Sequence, residues 1–192
     1  MGNLVSTQPA EAMPVRPLHH HAVLQGRVRL YDSGLSNLAD IEFPDGFAQR
    51  VRLTPRLLRR NDLDGTHDAT LFVRTTGDGQ LRPLPRLIRL QAPEGPEVPA
   101  HWSVAGRLVR VEQERNLISL RIFPERAKIQ PFLVTVASAL PVKAASGSDL
   151  WLTGQLRDRH LWATSVTPVR LERPGRWQDW GAPADLLDGD DR

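Results

Sequence analysis

The stretch HAVLQGRVRLYDSGLSNLADIEFP at residues 21–44 returns in altered form at residues 101–124 as HWSVAGRLVRVEQERNLISLRIFP. The two stretches share, without a gap, His21/His101, Gly26/Gly106, Arg27/Arg107, Phe43/Phe123 and Pro44/Pro124. A second block, 68–93, matches 149–174 in the same order at a spacing one residue larger, through Asp68/Asp149, Leu71/Leu152, Arg89/Arg170, Leu90/Leu171 and Pro93/Pro174. Two matches at nearly one spacing predict a tandem duplication. The alternative is one larger all-β domain whose similar strands align through composition.

Each repeat has the alternating pattern of β-strands. In LQGRVRLY at 24–31, small or apolar residues alternate with polar ones, and in RVRL at 50–53 arginine alternates with valine and leucine. The alternation directs one set of side chains into a barrel: Val28, Leu30, Val51, Leu53, Ile88 and Leu90. Thr54-Pro55 is typical of the start of a short helix, and TGDG at 76–79 predicts a hairpin turn.

These patterns define a domain plan. We expect a flexible N-terminal segment at 1–18, five-stranded units at 19–92 and 101–174, and an acidic C-terminal tail at 175–192. Between the units, QAPEGPEVPA at 91–100 is rich in proline and glutamate, and a stiff linker is predicted at 93–100.

The order of five strands, with a small helix between the third and the fourth, is that of an OB barrel. The segment DLWLTGQLRDRHLWATSVTPV at 149–169 resembles the strand-four, turn and strand-five region of OB-fold nucleic-acid-binding domains. Gly26-Arg27-Val28 and Gly106-Arg107-Leu108 resemble their glycine-containing first strand. The first unit departs from the pattern, because Val73 stands where the second unit has Gly154. The resemblance implies an all-β fold of two tandem five-stranded OB-like β-barrels joined by the Pro-rich linker.

Composition excludes several classes of protein. The chain of 192 residues has no cysteine, which rules out disulfides, thiol catalysis and cysteine-based metal sites. No apolar run reaches the roughly 20 residues that span a bilayer, so no membrane association is expected. The N-terminus lacks the basic and apolar regions of a secretory signal, and a cytoplasmic location is predicted.

The positive charge of the chain is almost entirely arginine. Lysine occurs only at Lys128 and Lys143, and the net charge is +3. Residues 173–192 contain three Arg and five Asp, a net of −2, so residues 1–172 carry +5. Arginine binds phosphate bidentately and stacks on bases. Codon composition of a GC-rich genome is the alternative explanation.

Strand alternation leaves these arginines on an outer face. The first unit presents Arg27, Arg29, Arg50, Arg52 and Arg89, the second presents Arg107 and Arg170 at matching positions, and the predicted helix adds Arg56, Arg59 and Arg60. Arginines on adjacent strands form a positive surface that tracks a phosphate backbone. The alternative is an ordinary solvated face.

Single-strand binding also needs aromatic rings on which bases stack. Tyr31 is the best candidate because it shares a face with Arg27 and Arg29. Trp162 follows the turn with Arg157, Arg159 and His160, where OB domains often place a ligand-contacting loop. Phe47, Trp102, Phe132 and Trp151 are further candidates, although Trp151 is favoured for the core with Phe43, Phe72 and Phe123.

Catalytic and metal-binding motifs are not found. His19, His20 and His21 are consecutive, so on a strand they cannot all face one ion. No phosphate-binding glycine loop, zinc-protease motif or nucleophile elbow occurs. We therefore expect no metal, no cofactor and no enzyme activity.

The predicted function is binding of single-stranded DNA or RNA without catalysis. The tail at 175–192 resembles in outline the acidic tails of bacterial single-stranded DNA-binding proteins, which recruit protein partners, but it ends in Arg192 rather than an apolar residue. A protein partner is expected there. The alternative function is a non-enzymatic adaptor or assembly subunit whose barrels bind protein.

Overall fold

The fold is built from β-strands, as predicted. The computed structural model describes residues 18–33, 37–59, 63–97, 99–125 and 129–172. The strands are β1 (Leu18–His19), β2 (His21–Asp32), β3 (Leu38–Glu42), β4 (Ala48–Leu53), β5 (Gly65–Phe72), β6 (Arg86–Gln91), β7 (His101–Glu112), β8 (Leu117–Ile122), β9 (Phe132–Ala137), β10 (Asp149–Arg157), β11 (His160–Pro168) and β12 (Leu171–Glu172). Two short 3₁₀ turns lie at Leu57–Arg59 and Gln113–Arg115.

Strands β2 to β6 form a closed five-stranded barrel. β2 pairs antiparallel with β3, β3 with β4, and β5 with both β6 and β2. The circuit closes through the parallel pair β4–β6, where Arg52 lies opposite Arg86. The helix expected after Thr54 is only a 3₁₀ turn, which begins where the Leu57 N–H donates to the Thr54 carbonyl at 2.9 Å.

Strands β7 to β11 are connected in the same order. β7 pairs with β8, β8 with β9, β11 with β10, and β10 with β7, all antiparallel. The contact between β9 and β11 is parallel and has a single registered pair, Ala137 and Trp162.

The two strand sets join through β2 and β7, so that all ten strands form one hydrogen-bonded sheet. The pairing is antiparallel and is centred on Val23, which lies opposite Ser103. His21 faces Ala105 and Gln25 faces His101. In the sequence repeat, Val23 corresponds to Ser103 and His21 to His101. If each residue is replaced by its counterpart in the other strand set, the pairs that face each other stay the same.

The end of the repeat differs from the sequence alignment. Leu90 pairs with Ala69 on β5, whereas its proposed counterpart Leu171 pairs with Leu18 in a separate two-stranded sheet of β1 and β12. Leu150 on β10 corresponds to Ala69 at the spacing of the second block, and it pairs with Pro168 rather than with Leu171. The identities near residue 171 therefore do not mark equivalent positions. The tail at 175–192, and all of the N-terminal segment except Leu18, lie outside the described residues.

A continuous core of apolar side chains runs through both strand sets. The predicted inward residues of the first barrel are buried, namely Val28, Leu30, Val51, Leu53 and Leu90. Ile88 was predicted to be buried but is 39% exposed. A register shift between Thr70 and Leu71 on β5 places Leu87, which is fully buried, in the inward position instead.

Trp102 belongs to this core, so its prediction as a stacking platform is wrong. Its side chain is completely buried, and its Nε1–H donates to the Gln155 carbonyl at 3.0 Å. A ring with no exposed face offers no surface to a base.

The loop at 73–85, between β5 and β6, joins the barrel to the second strand set. The Thr135 N–H donates to Thr75 Oγ1 at 2.7 Å, and the Leu81 N–H donates to the Arg159 carbonyl at 2.8 Å. The predicted turn at its tip is present, with the Gly79 N–H donating to the Thr76 carbonyl at 3.0 Å. This docking fixes the loop beside β9 and the β10–β11 turn.

Candidate nucleic-acid interface

Arg29 and Tyr31 lie on the same side of β2 because they are two residues apart in a strand. The guanidinium carbon of Arg29 is 5.3 Å from the centre of the Tyr31 ring, which is cation–π distance. The Tyr31 hydroxyl donates to Glu42 Oε2 at 3.1 Å, and the residue is 39% exposed. Partial desolvation and then this hydrogen bond raise the pKa of Tyr31, so the hydroxyl stays neutral. β2 thus presents a positioned aromatic ring beside a cation.

Arg50 lies on the same face but is paired with a carboxylate. Tyr31 is opposite Asp40 on β3, and Asp40 is opposite Arg50 on β4, so the three form a row across the strands. Arg50 donates to Asp40 through Nε at 2.8 Å and Nη2 at 3.1 Å. Hydrogen bonding to Arg50 lowers the pKa of Asp40. The positive charge of Arg50 is therefore largely neutralised in the free protein.

Arg27 was predicted on this face, but its donors are used inside the protein. Its Nε donates to Asp68 Oδ1 at 2.9 Å, and its other nitrogens donate to the carbonyls of Glu94 and Gly95. Only 14% of the side chain is exposed. In the second set Arg107 likewise donates to Asp149, at 3.3 Å. These two arginines connect parts of the fold before any ligand is present.

The other predicted arginines of the first barrel are exposed at separate places. Arg52 is next to Arg86 at the β4–β6 pair, and Arg89 lies opposite Thr70 on β5. Arg56 and Arg59 are exposed at the 3₁₀ turn, and Arg60 lies outside the described residues. The structure therefore brings together Arg29, Tyr31 and Arg50, while the remaining arginines lie at the 3₁₀ turn, at the barrel closure and on β6.

In the second set, Arg157, Arg159 and Trp162 share the β10–β11 hairpin. Arg157 Nη2 donates to Gln155 Oε1 at 3.3 Å, and Arg159, at φ 66°, is exposed in the turn. Trp162 is half-buried on β11, where it lies opposite Gln155 on β10 and Ala137 on β9. Arg170 is exposed but follows β11, so it is not the counterpart of Arg89.

The three consecutive histidines make different contacts. His19 Nδ1 is 3.4 Å from Glu125 Oε1, and His21 Nε2 is 2.7 Å from Ser103 Oγ. His20 is buried against the Phe123 ring at a centroid distance of 5.0 Å. Within the described ranges, no three His, Asp or Glu side chains are grouped as metal ligands would be. The same part of the chain has no helix long and apolar enough to cross a bilayer.

Sequence reasoning missed three arginines that lie close to Arg52. Arg74, Arg82 and Arg86 line a pocket with it at the base of the 73–85 loop. The sequence does contain a cue, because RPLPR at 82–86 places one arginine at each end of a stiff Pro-Leu-Pro segment. Their convergence depends on how the long loop folds, which no local pattern specifies.

No family model matches the chain, and no curated protein is significantly similar to it.

Proposed function

We propose that the chain consists of two OB-like barrels in tandem that bind single-stranded nucleic acid without catalysis. Three observations support the tandem arrangement. β7 to β11 repeat the connection order of the closed barrel, the β2–β7 register is centred on Val23 and Ser103, and the pair Arg27–Asp68 recurs as Arg107–Asp149. A self-complementary register of this kind is what two copies of one unit form about a two-fold axis.

One observation carries the binding proposal: the exposed Tyr31 ring is positioned beside Arg29 on an outer strand face. Base stacking on an aromatic side chain contributes roughly 1–3 kcal/mol per base and tolerates any sequence. An adjacent guanidinium supplies phosphate contact or further stacking. Ring and cation are the two components that a non-specific single-strand site combines.

The remaining candidates would extend this site along a strand of nucleic acid. They are arginines of the first barrel, residues of the β10–β11 hairpin, of which Trp162 is half-buried, and one arginine after β11: Arg50, Arg52, Arg56, Arg59, Arg89, Arg157, Arg159, Trp162 and Arg170. Arg27 and Arg107 are not included among the ligand-binding residues, because each already donates to a carboxylate within the fold.

A protein-binding adaptor is the second candidate, and the Arg50–Asp40 pair favours it. A phosphate that contacts Arg50 through its remaining N–H donors meets the negative charge of Asp40, whereas a protein surface with mixed charge accommodates both residues. The salt dependence tests the first function, because each phosphate contact on a single strand releases counterions and adds about 0.7 to the slope of log affinity against log salt.

The test compares Tyr31→Ala with Tyr31→Phe in the full chain. We expect wild type and Tyr31→Phe to bind a fluorescent dT oligomer alike, since only the bond to Glu42 is lost. Tyr31→Ala should bind about 10-fold more weakly, from the loss of one stacked base. Its salt dependence should be unchanged, because stacking releases no counterions. Wild-type protein that does not bind the oligomer at low salt would contradict the proposal and favour the adaptor.

A further inference from the structure

A pocket of about 340 Å³ lies where the 73–85 loop meets the barrel closure. Four arginines line it: Arg52 from β4, Arg86 from β6, and Arg74 and Arg82 from the loop. None of the described lining residues is acidic. The volume is at the lower end of the roughly 300–1,000 Å³ that small-molecule sites occupy.

Arg52 and Arg86 place two like charges directly opposite each other. They are register partners in parallel strands, which lie about 4.8 Å apart. Like charges in this position destabilise a sheet. Among the described residues neither guanidinium is in an ion pair, whereas Arg50, on the same face of β4, is paired with Asp40. An anion between Arg52 and Arg86 would remove the repulsion.

The two loop arginines are positioned by the protein itself. The guanidinium carbon of Arg74 lies 4.6 Å from the centre of the Phe132 ring. Arg82 Nε donates to the Thr75 carbonyl at 3.1 Å, and the backbone N–H of Arg82 donates to the Arg74 carbonyl at 2.9 Å. Because these contacts restrict both side chains before binding, a ligand loses less side-chain entropy when it orders them.

The rest of the pocket wall is apolar. Phe72, Leu84 and Ile129 contribute to it, and the Phe72 ring packs edge-on against Phe132 at 5.2 Å. Leu84 stands between two prolines at φ 56° and is 39% exposed. The Pro85 carbonyl accepts the Arg52 N–H at 2.9 Å, which ties this rigid segment to β4. Ile129 comes from the second strand set, so both sets build the site.

We propose that this pocket binds one nucleotide, with the arginines around its phosphate and the base or sugar against the apolar wall. This inference rests on the proposed function, because the nucleotide in the pocket is one unit of the bound single strand. A free mononucleotide offers the same chemistry, so the experiment separates the two sources. Guanidinium groups bind phosphate oxygens bidentately, and Arg52 and Arg86 lie opposite each other at the β4–β6 pair.

The test uses the full chain with Arg52→Gln and Arg86→Gln combined. The control is Arg110→Gln with Arg115→Gln, which makes the same change in net charge at two exposed arginines outside the pocket, both of them paired with Glu112. Each protein is titrated with a fluorescent dT oligomer, and its melting temperature is measured with and without dTMP. We expect the pocket variant to bind the oligomer at least 10-fold more weakly and the control within twofold of wild type. The salt slope of the pocket variant should fall by about 0.7, because the contact with one phosphate is lost.

The outcomes separate the pocket from the wider function. If dTMP raises the melting temperature of wild type but not of the pocket variant, while oligomer affinity is equal in both, the pocket binds a free nucleotide. Absence of oligomer binding by wild type overturns the proposed function, and the dTMP comparison still decides the pocket. The pocket proposal is overturned if the pocket variant and the control lose the same affinity for the oligomer. It is also overturned if neither the oligomer nor dTMP distinguishes the pocket variant from wild type. If the Gln variant does not fold, Arg52→Lys with Arg86→Lys replaces it, with an expected loss of about threefold because lysine lacks the bidentate fork.

Discussion

Arg27 and Asp68 are joined across β2 and β5, with Arg27 Nε donating to Asp68 Oδ1 at 2.9 Å. The pair also fastens the segment between the two strand sets. Arg27 donates to the Glu94 and Gly95 carbonyls at 2.9 and 3.1 Å, and the Glu94 N–H donates to Asp68 Oδ2 at 2.9 Å. Arg27, which was predicted among the outer-face arginines, therefore anchors the predicted linker.

Arg27→Gln should destabilise the fold, whereas Arg29→Gln should not. The first change removes charge-assisted hydrogen bonds to the partly buried Asp68 carboxylate and to two linker carbonyls, and bonds of this class are stronger than neutral ones. The second removes an exposed side chain that contacts only the Tyr31 ring among its described contacts. Thermal melts of both variants give the comparison. Equal melting temperatures would mean that the Arg27 contacts contribute nothing to stability.

Gly154→Ala should destabilise the protein, by about 1–3 kcal/mol, because the site has no room for a methyl group. An added Cβ would lie against the Trp162 carbonyl oxygen and 2.7 Å from Cζ2 of the Trp102 ring. Gly77→Ala is the matched control, since no heavy atom lies within 4 Å of its Cβ position. Denaturant unfolding measures both. A Gly154→Ala protein as stable as Gly77→Ala would show that β11 yields to the methyl group.

Stability should fall as the pH decreases from 6.5 towards 4 because of His20. Burial lowers the pKa of His20 to about 4, and Arg107 and His21 oppose its charge while Asp149 favours it. The unfolded chain binds a proton in this window and the folded chain does not, so the neutral form stabilises the fold above pH 6.5. The full loss is roughly 3 kcal/mol.

His20→Phe is the comparison for this effect, because it retains a ring against Phe123 and removes the titrating group. The free energy of unfolding is measured from pH 7.5 to 4.5, above the range in which the lowered pKa values of Asp40 and Asp68 matter. The variant should have the shallower pH dependence. Burial also lowers the pKa of His21, so a smaller pH dependence of stability should remain in both proteins. Identical pH profiles would exclude His20 as the source.

Much of the fold could be predicted because strand alternation is a local pattern. It identified the buried residues Val28, Leu30, Val51 and Leu53, and the all-β class followed from it. It failed at Ile88, because the register shift at Thr70 and Leu71 inverts the alternation on β6. A shift of this kind depends on the partner strand, which the sequence of β6 does not encode.

The candidate site was predictable only in part. Tyr31 and Arg29 share a face because of their spacing, and the structure places them together. Alternation also predicted Arg27 outside the barrel, but it does not indicate that Asp68 and the linker surround it. The four-arginine pocket needs Arg74 and Arg82 from a docked loop, so only three-dimensional contacts identify it.

The affinity of the full chain for single strands, measured across a series of salt concentrations, is the decisive quantity. Fluorescent dT and U oligomers and a duplex of equal length are titrated in each salt. We predict that the single strands bind more tightly than the duplex. Their log affinity should fall with log salt by about 0.7 for each phosphate contact, a slope of about −1.4 if Arg29 contacts one phosphate and Arg52 and Arg86 together contact a second. No binding at low salt, or an affinity that does not change with salt, would contradict a nucleic-acid-binding function.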